Sequence, residues 1–104
     1  MYIGLYTHDN ELVYESNSMG MERILAYAAT DILDKIVGRS NYSLFSEIVR
    51  YEGRSVNGVV LANGYKGFMV YGEGEGISQE EMNEVIMGLK NKILARDYDE
   101  VVLR

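Results

Sequence analysis

Five short stretches of this chain are rich in β-branched and aromatic residues with a loose alternation of faces, and two longer ones carry apolar residues at every third or fourth position, with no proline to interrupt either pattern. A period of two belongs to strands, and a period near 3.6 to helices with one apolar stripe. The order in which the two periods alternate therefore limits the fold more than composition does. Tyr2 to Thr7 is aromatic and β-branched, with Ile3, Leu5 and Thr7 on one face. After His8-Asp9-Asn10, which tolerates turn dihedrals, Glu11 to Glu15 forms a second strand, so residues 2 to 15 are predicted to be a hairpin. Between Met21 and Val37 the spacing becomes helical: Met21, Ile24, Leu25, Ala28, Ala29, Ile32, Leu33 and Ile36 form a stripe. Ser16-Asn17-Ser18 offers N-caps before it, and Gly38 and Asn41 end it.

Three strands are predicted next, Tyr42 to Tyr51, Val56 to Ala62 and Tyr65 to Tyr71. Glu52-Gly53 marks the first turn between them. Asn63-Gly64 marks the second as a two-residue type I′ hairpin, which needs positive φ at both positions. Ser78-Gln79-Glu80-Glu81 is a capping box, flanked by Ile77 and Met82 as a hydrophobic staple. It opens a helix that buries Met82, Val85, Ile86, Leu89 and Ile93, with acids early and Lys90, Lys92 and Arg96 late, as the helix dipole favours. Val101-Val102-Leu103 would dock as a short strand or stay loose. The expectation is a single α+β domain spanning 1–104: a five-stranded antiparallel sheet with two main helices, in the order β-β-α-β-β-β-α, and with helices over one face.

Composition narrows function mainly by exclusion. Sixteen acids against ten bases give a net charge of −6, the wrong sign for a phosphate-binding face, so no nucleic-acid partner is expected. Without cysteine there is no disulfide, thiolate nucleophile or cysteine-based zinc site. No apolar run reaches a membrane span and the N-terminus lacks a charged leader, so the expected location is the cytoplasm.

Candidate sites have to be weighed against ordinary structural roles. Gly72-Glu73-Gly74-Glu75-Gly76 sits between strand and helix, where a phosphate loop would, but Glu73 and Glu75 lie inside it and further acids follow, which would repel the ligand. The acids lack calcium-loop spacing as well. Glu73, Glu75, Glu80 and Glu84 are better taken as a solvated rim that could dock a basic partner. His8 beside Asp9 on a hairpin tip lacks the pocket a general base needs, and Asp31 and Asp34 share a helix face rather than opposing across a cleft. The chain also carries nine tyrosines, a residue suited to half-buried sheet edges and interfaces. The stretch 42–51 is two-sided, with Phe45, Glu47, Val49 and Tyr51 alternating against Leu44, Ser46, Ile48 and Arg50. At a sheet edge its open ladder would template a second strand, with only Glu47 and Arg50 to discourage pairing.

The opening hairpin (Tyr2 to Glu15), the apolar helix 21–37 and the segment Ser43 to Val70, with Glu52-Gly53 and Asn63-Gly64 at its turns, resemble the roadblock/longin superfamily. Beginning a strand at residue 2 is closer to the longin arrangement than to roadblock/LC7 domains, which carry an earlier helix. The resemblance covers about residues 2 to 95 and implies the profilin-like strand order 2-1-5-4-3. It also implies a dimeric adaptor with no chemistry or cofactor of its own, acting on a small Ras-like GTPase or a larger protein assembly. Self-association would then use Phe45, Glu47, Val49 and Tyr51, together with exposed parts of helix 21–37. Two rivals are a PAS- or profilin-like sensor with a pocket lined by Tyr27, Tyr51 and Phe68, and a small oligomeric enzyme using His8, Asp31 and Asp34 between subunits.

Overall fold

A computed structural model describes residues 1–17, 20–37, 43–61 and 64–95. The elements run β1 (Tyr2–Tyr6), β2 (Leu12–Glu15), α1 (Gly20–Val37), β3 (Leu44–Tyr51), β4 (Arg54–Val60), β5 (Lys66–Gly72) and α2 (Gln79–Ala95). Every strand pair is antiparallel, and the five strands lie in the order β2-β1-β5-β4-β3. Ser18, Gly38, Asn41, Tyr42, Asn63, Arg96 and the tail at Val101–Leu103, all given roles by the sequence, lie outside the described residues.

The helices do not share a face, contrary to the expectation from sequence. Tyr2 and Tyr6 of β1, Val56 of β4, and Phe68 and Val70 of β5 pack against Leu25, Ala26, Ala29 and Leu33 of α1. Leu5, Val13, Val59 and Leu61 point the other way, onto Leu89 of α2, with Val85, Ile86 and Ile93 half-buried beside it. Successive strand residues point to opposite faces, and here both sets are apolar, so helices on one side alone would leave the other set in water. Small residues set the spacing. Ala26 and Ala29 are fully buried where α1 meets the sheet. On the opposite face, a Cβ at Gly67 would stand 2.6 Å from Leu89 Cδ1 and 2.9 Å from Val59 Cγ1.

Local chemistry settles where α2 begins. Ser78 Oγ accepts the Glu81 amide at 3.1 Å, and Glu81 Oε1 accepts the Ser78 amide at 3.4 Å, the reciprocal bonds of the predicted box. Tyr51 pairs with Arg54, leaving Glu52 (φ 45°) and Gly53 (φ 75°) as a two-residue turn with positive φ at both positions. Between β4 and β5, Val60 pairs with Lys66 and the Leu61 amide donates to the Tyr65 carbonyl. Gly64 (φ 78°) has the positive φ that the expected turn requires of it, and Asn63 lies outside the described residues.

Gly67→Ala is expected to lose about 1–3 kcal/mol of stability through overpacking under Leu89. Gly74→Ala, whose Cβ meets nothing within 4 Å, should be nearly neutral. Urea unfolding of the two variants in parallel checks this.

Candidate functional site

β3 pairs with β4 on one side and lies at the edge of the sheet on the other. Its alternation is broken in the middle. Phe45 faces Gly58 and Val49 faces Val56, so Ser46, Glu47 and Ile48 all stand opposite the single residue Asn57. Glu47 takes φ 51° to accommodate the extra length. The predicted face of Phe45, Glu47, Val49 and Tyr51 is therefore not one face: Phe45 and Val49 pack toward the α1 core together with Ile48, while Glu47 sits exposed at the bulge. Leu44 joins the α2 cluster, and Tyr51 remains about half exposed at 51%.

The bulge takes the Glu47 amide out of the ladder, and an unpaired buried donor costs about 1–3 kcal/mol. Asn57, itself only 1% exposed, supplies the acceptor. Its Oδ1 takes the Glu47 amide at 2.8 Å and the Tyr71 hydroxyl at 3.0 Å, and its Nδ2 lies 3.2 Å from Met82 Sδ. Burial, and then the Glu47 carboxylate, push the Tyr71 phenol above its ordinary value, so it keeps the proton it gives to Asn57. A bulge twists an edge away from incoming strands. The edge is thus blunted by backbone geometry as well as by the charges of Glu47 and Arg50, a correction to the sequence view, and regular pairing is left to the stretches flanking the bulge.

The four rim acids divide into two pairs. Glu73 meets Arg50 at 3.3 Å. Glu75 accepts the Gly72 amide at 3.0 Å and lies 3.6 Å from the Met1 ammonium; first that amide and then that charge hold its carboxyl below the usual range. Glu80 and Glu84 stand exposed one turn apart on α2 and form no ion pair among the described residues. The glycine-rich loop is closed on itself. The amides of Glu75 and Gly76 donate to the Gly72 carbonyl at 3.0 and 3.2 Å, and the Glu73 amide donates to the Gly53 carbonyl at 2.8 Å. Those amides are not free to cradle a phosphate.

His8, Asp31 and Asp34 do not converge. The His8 ring is exposed, 3.3 Å from Asp9, and Asp31 pairs with Lys35 at 3.2 Å on the outer surface of α1. Asp34 instead turns inward to Lys66, a nearly buried ammonium that also reaches Asn10 Oδ1 at 2.6 Å and the His8 carbonyl at 3.3 Å. Asn10 Nδ2 completes the ring by donating to Asp34 at 2.9 Å. Burial works to raise the Asp34 carboxyl, but the hydrogen bonds from Lys66 and Asn10 outweigh it and hold the group below its ordinary value. This clamp ties the first turn, α1 and β5 together, and nothing in the spacing of its members announces it.

Two ion pairs orient the start of α1. Glu22 meets Arg54 of β4 at 2.7 Å, and that bond first of all lowers its carboxyl. Arg23 binds both oxygens of Glu15 on β2, and Tyr2 Oη donates to the same carboxylate at 2.7 Å. With residue 22 toward β4 and residue 23 toward β2, the helical period turns Met21, Leu25, Ala28 and Ile32 to the β3 side and Arg23, Tyr27 and Asp34 to the β2 side. The three aromatics that would line the pocket of a sensor are consequently apart. Phe68 is fully buried edge-on to Tyr6, with ring centroids 5.5 Å apart. Tyr27 borders a hollow of about 300 Å³ with Tyr6, Asn10, Leu12, Arg23 and Ile24, without Tyr51 or Phe68.

Among the described residues no group of three or more His, Cys, Asp or Glu is placed to hold a metal ion, and no helix is long and apolar enough to cross a membrane.

Two substitutions probe these networks. Asn57→Ala strands the Glu47 and Tyr71 donors, so a loss of about 2–3 kcal/mol is expected together with faster hydrogen exchange at the Glu47 amide. The Asp34 carboxyl is depressed in the fold, so its contribution is present above the unfolded value and is lost as pH falls below about 4. Asp34→Asn should therefore be less stable than the native chain at pH 7, and the gap should close under acid, as thermal melts across that range will show. No protein-family model matches the chain, and no curated protein matches it.

Proposed function

We propose that this chain is a non-enzymatic adaptor of roadblock/longin type that acts as a homodimer through the edge strand β3. The observation that supports it best is an open strand edge with half-buried Phe45, Ile48 and Val49, exposed Tyr51, and the exposed Met21 and Ala28 of α1 on the same side. A second copy related by a two-fold axis would add its own β3 to this edge and bring the two α1 flanks together. Pairing would begin at the ends of β3, where the ladder is regular, rather than at the Glu47 bulge. The partner is a small Ras-like GTPase or a larger cytoplasmic assembly. Glu80 and Glu84, which no internal cation neutralises among the described residues, give a basic surface something to meet.

The interface must be tested where the side chains are free. Phe45 and Val49 pack against the subunit's own core, so a charge there would unfold the monomer as readily as divide a dimer. Tyr51→Asp combined with Ala28→Glu changes exposed positions only. Light scattering at tens of micromolar is expected to give twice the 11.8 kDa chain mass for the native sequence and the single-chain mass for the double variant, with unchanged circular dichroism. A native chain that stays monomeric at that concentration removes the proposal.

A further inference from the structure

Where the bulge of β3 meets the loop before α2, a cleft holds a space of about 410 Å³, within the range of small-ligand sites. Glu47 of β3, Ser55 of β4 and Tyr71 of β5 line it, with Arg50, Glu73 and Ile77 around them. Ser55 stands two positions before Asn57 on β4, and so lies on the same face of the sheet, under α2. Only 2% of Ser55 is exposed, yet its side chain forms no hydrogen bond among the described residues. The hydroxyl is not sealed from solvent, and the cleft is where it opens. A polar group so placed is costly to leave unpaired, and an occupant of the cleft would pair it.

The charges select that occupant. Two carboxylates, Glu47 and Glu73, face one guanidinium, Arg50. Arg50 holds Glu73 loosely, at 3.3 Å, with both side chains more than half exposed. Glu47 forms no ion pair among the described residues, and it occupies a position, φ 51°, that Gly or Asn would enter at less cost. Its carboxylate is close enough to Tyr71 to help push that phenol up, which sets it over the cleft. The chain's net charge of −6 favours cations further and disfavours anions. We infer that this cleft binds a primary alkylammonium group, with Glu47 and Glu73 taking its charge, Ser55 accepting a third hydrogen bond, and Ile77 and the Tyr71 ring walling the alkyl stem. An ammonium carries three donors that need not be coplanar, which suits acceptors from three separate segments; a guanidinium needs both oxygens of one carboxylate edge-on. The incoming cation replaces Arg50 at Glu73. Every group involved belongs to one chain, so the site rests neither on dimerisation nor on the adaptor reading.

Two amines separate the sources of such a group: Nα-acetyl-lysine methylamide represents a lysine of a partner protein, and cadaverine a free amine. Pentanol, a similar stem without the charge, is the control. In ¹H–¹⁵N NMR titrations of the full chain at low salt, at least one amine is expected to shift the amides of Glu47, Ser55, Glu73 and Ile77 saturably, and the tighter of the two identifies the source. Pentanol should not. Glu47→Gln should weaken the tighter amine about two- to fivefold, the scale of an exposed ion pair. Ser55→Ala should weaken it about two- to tenfold, the scale of one net hydrogen bond, while unfolding in urea as the native chain does because the hydroxyl has no partner to lose. Arg50→Gln removes the resident competitor and should tighten binding. Absence of saturable shifts, shifts centred outside the cleft, an equal response to pentanol, weaker binding by Arg50→Gln, or an affinity unchanged by Ser55→Ala would each overturn the assignment.

Discussion

Apolar side chains leave this sheet in both directions, and each direction needs a helix to exclude water. That requirement places α1 against Tyr2, Tyr6, Val56, Phe68 and Val70, and α2 against Leu5, Val59 and Leu61. Burial of such side chains contributes about 1.5–3 kcal/mol each, which outweighs the small preferences of turns and caps. The helices can cover the faces but not the flanks, and the flanks are where the molecule has capacity left over. One flank is the four-residue β2, bulged at Val13; the other is the eight-residue β3.

The two exposed regions of interest are controlled by buried polar groups rather than by their own surfaces. Asn57 holds the bulge that shapes the β3 edge, by accepting from both Glu47 and Tyr71. Glu15 plays the corresponding role for α1, drawing Arg23 and Tyr2 to one carboxylate and thereby fixing which helix residues border β2. Because a buried polar group is expensive when unpaired, each network tolerates little rearrangement. The exposed residues around them inherit that rigidity. This is the physical sense in which the edge and the hollow are formed in advance rather than assembled by a partner.

Parts of the edge were legible beforehand. Neither face of residues 44–51 is cleanly apolar in the sequence, but that pattern predicts no bulge: Phe45 and Val49 stand four apart, in step for a regular strand, and Leu44 and Ile48 alternate with them. Asn57 gave no sign either, because its contacts come from residues 10, 14 and 25 positions away. The same holds for Lys66, whose partners Asn10 and Asp34 lie in the first turn and on α1. The pocket of Tyr27, Tyr51 and Phe68 that a sensor reading would need is missing for a related reason. Aromatic residues can be counted in a sequence, but which side of α1 each one meets depends on ion pairs that span the sheet.

By itself the amino-acid order determined the kinds of element, their approximate limits and the capping of α2, because periodicity and caps act over a few neighbouring residues. It also determined that β1–β2, β3–β4 and β4–β5 pair antiparallel, since hairpin connections between successive strands permit nothing else, whereas the antiparallel meeting of β1 and β5 is a tertiary contact. Only the tertiary structure decided that the helices lie on opposite faces, that β3 is bulged, and that Asn57 and Lys66 are buried among partners from distant elements. Those features depend on groups brought together across the chain, where the cost of an unpaired charge or donor, and not local preference, selects the arrangement.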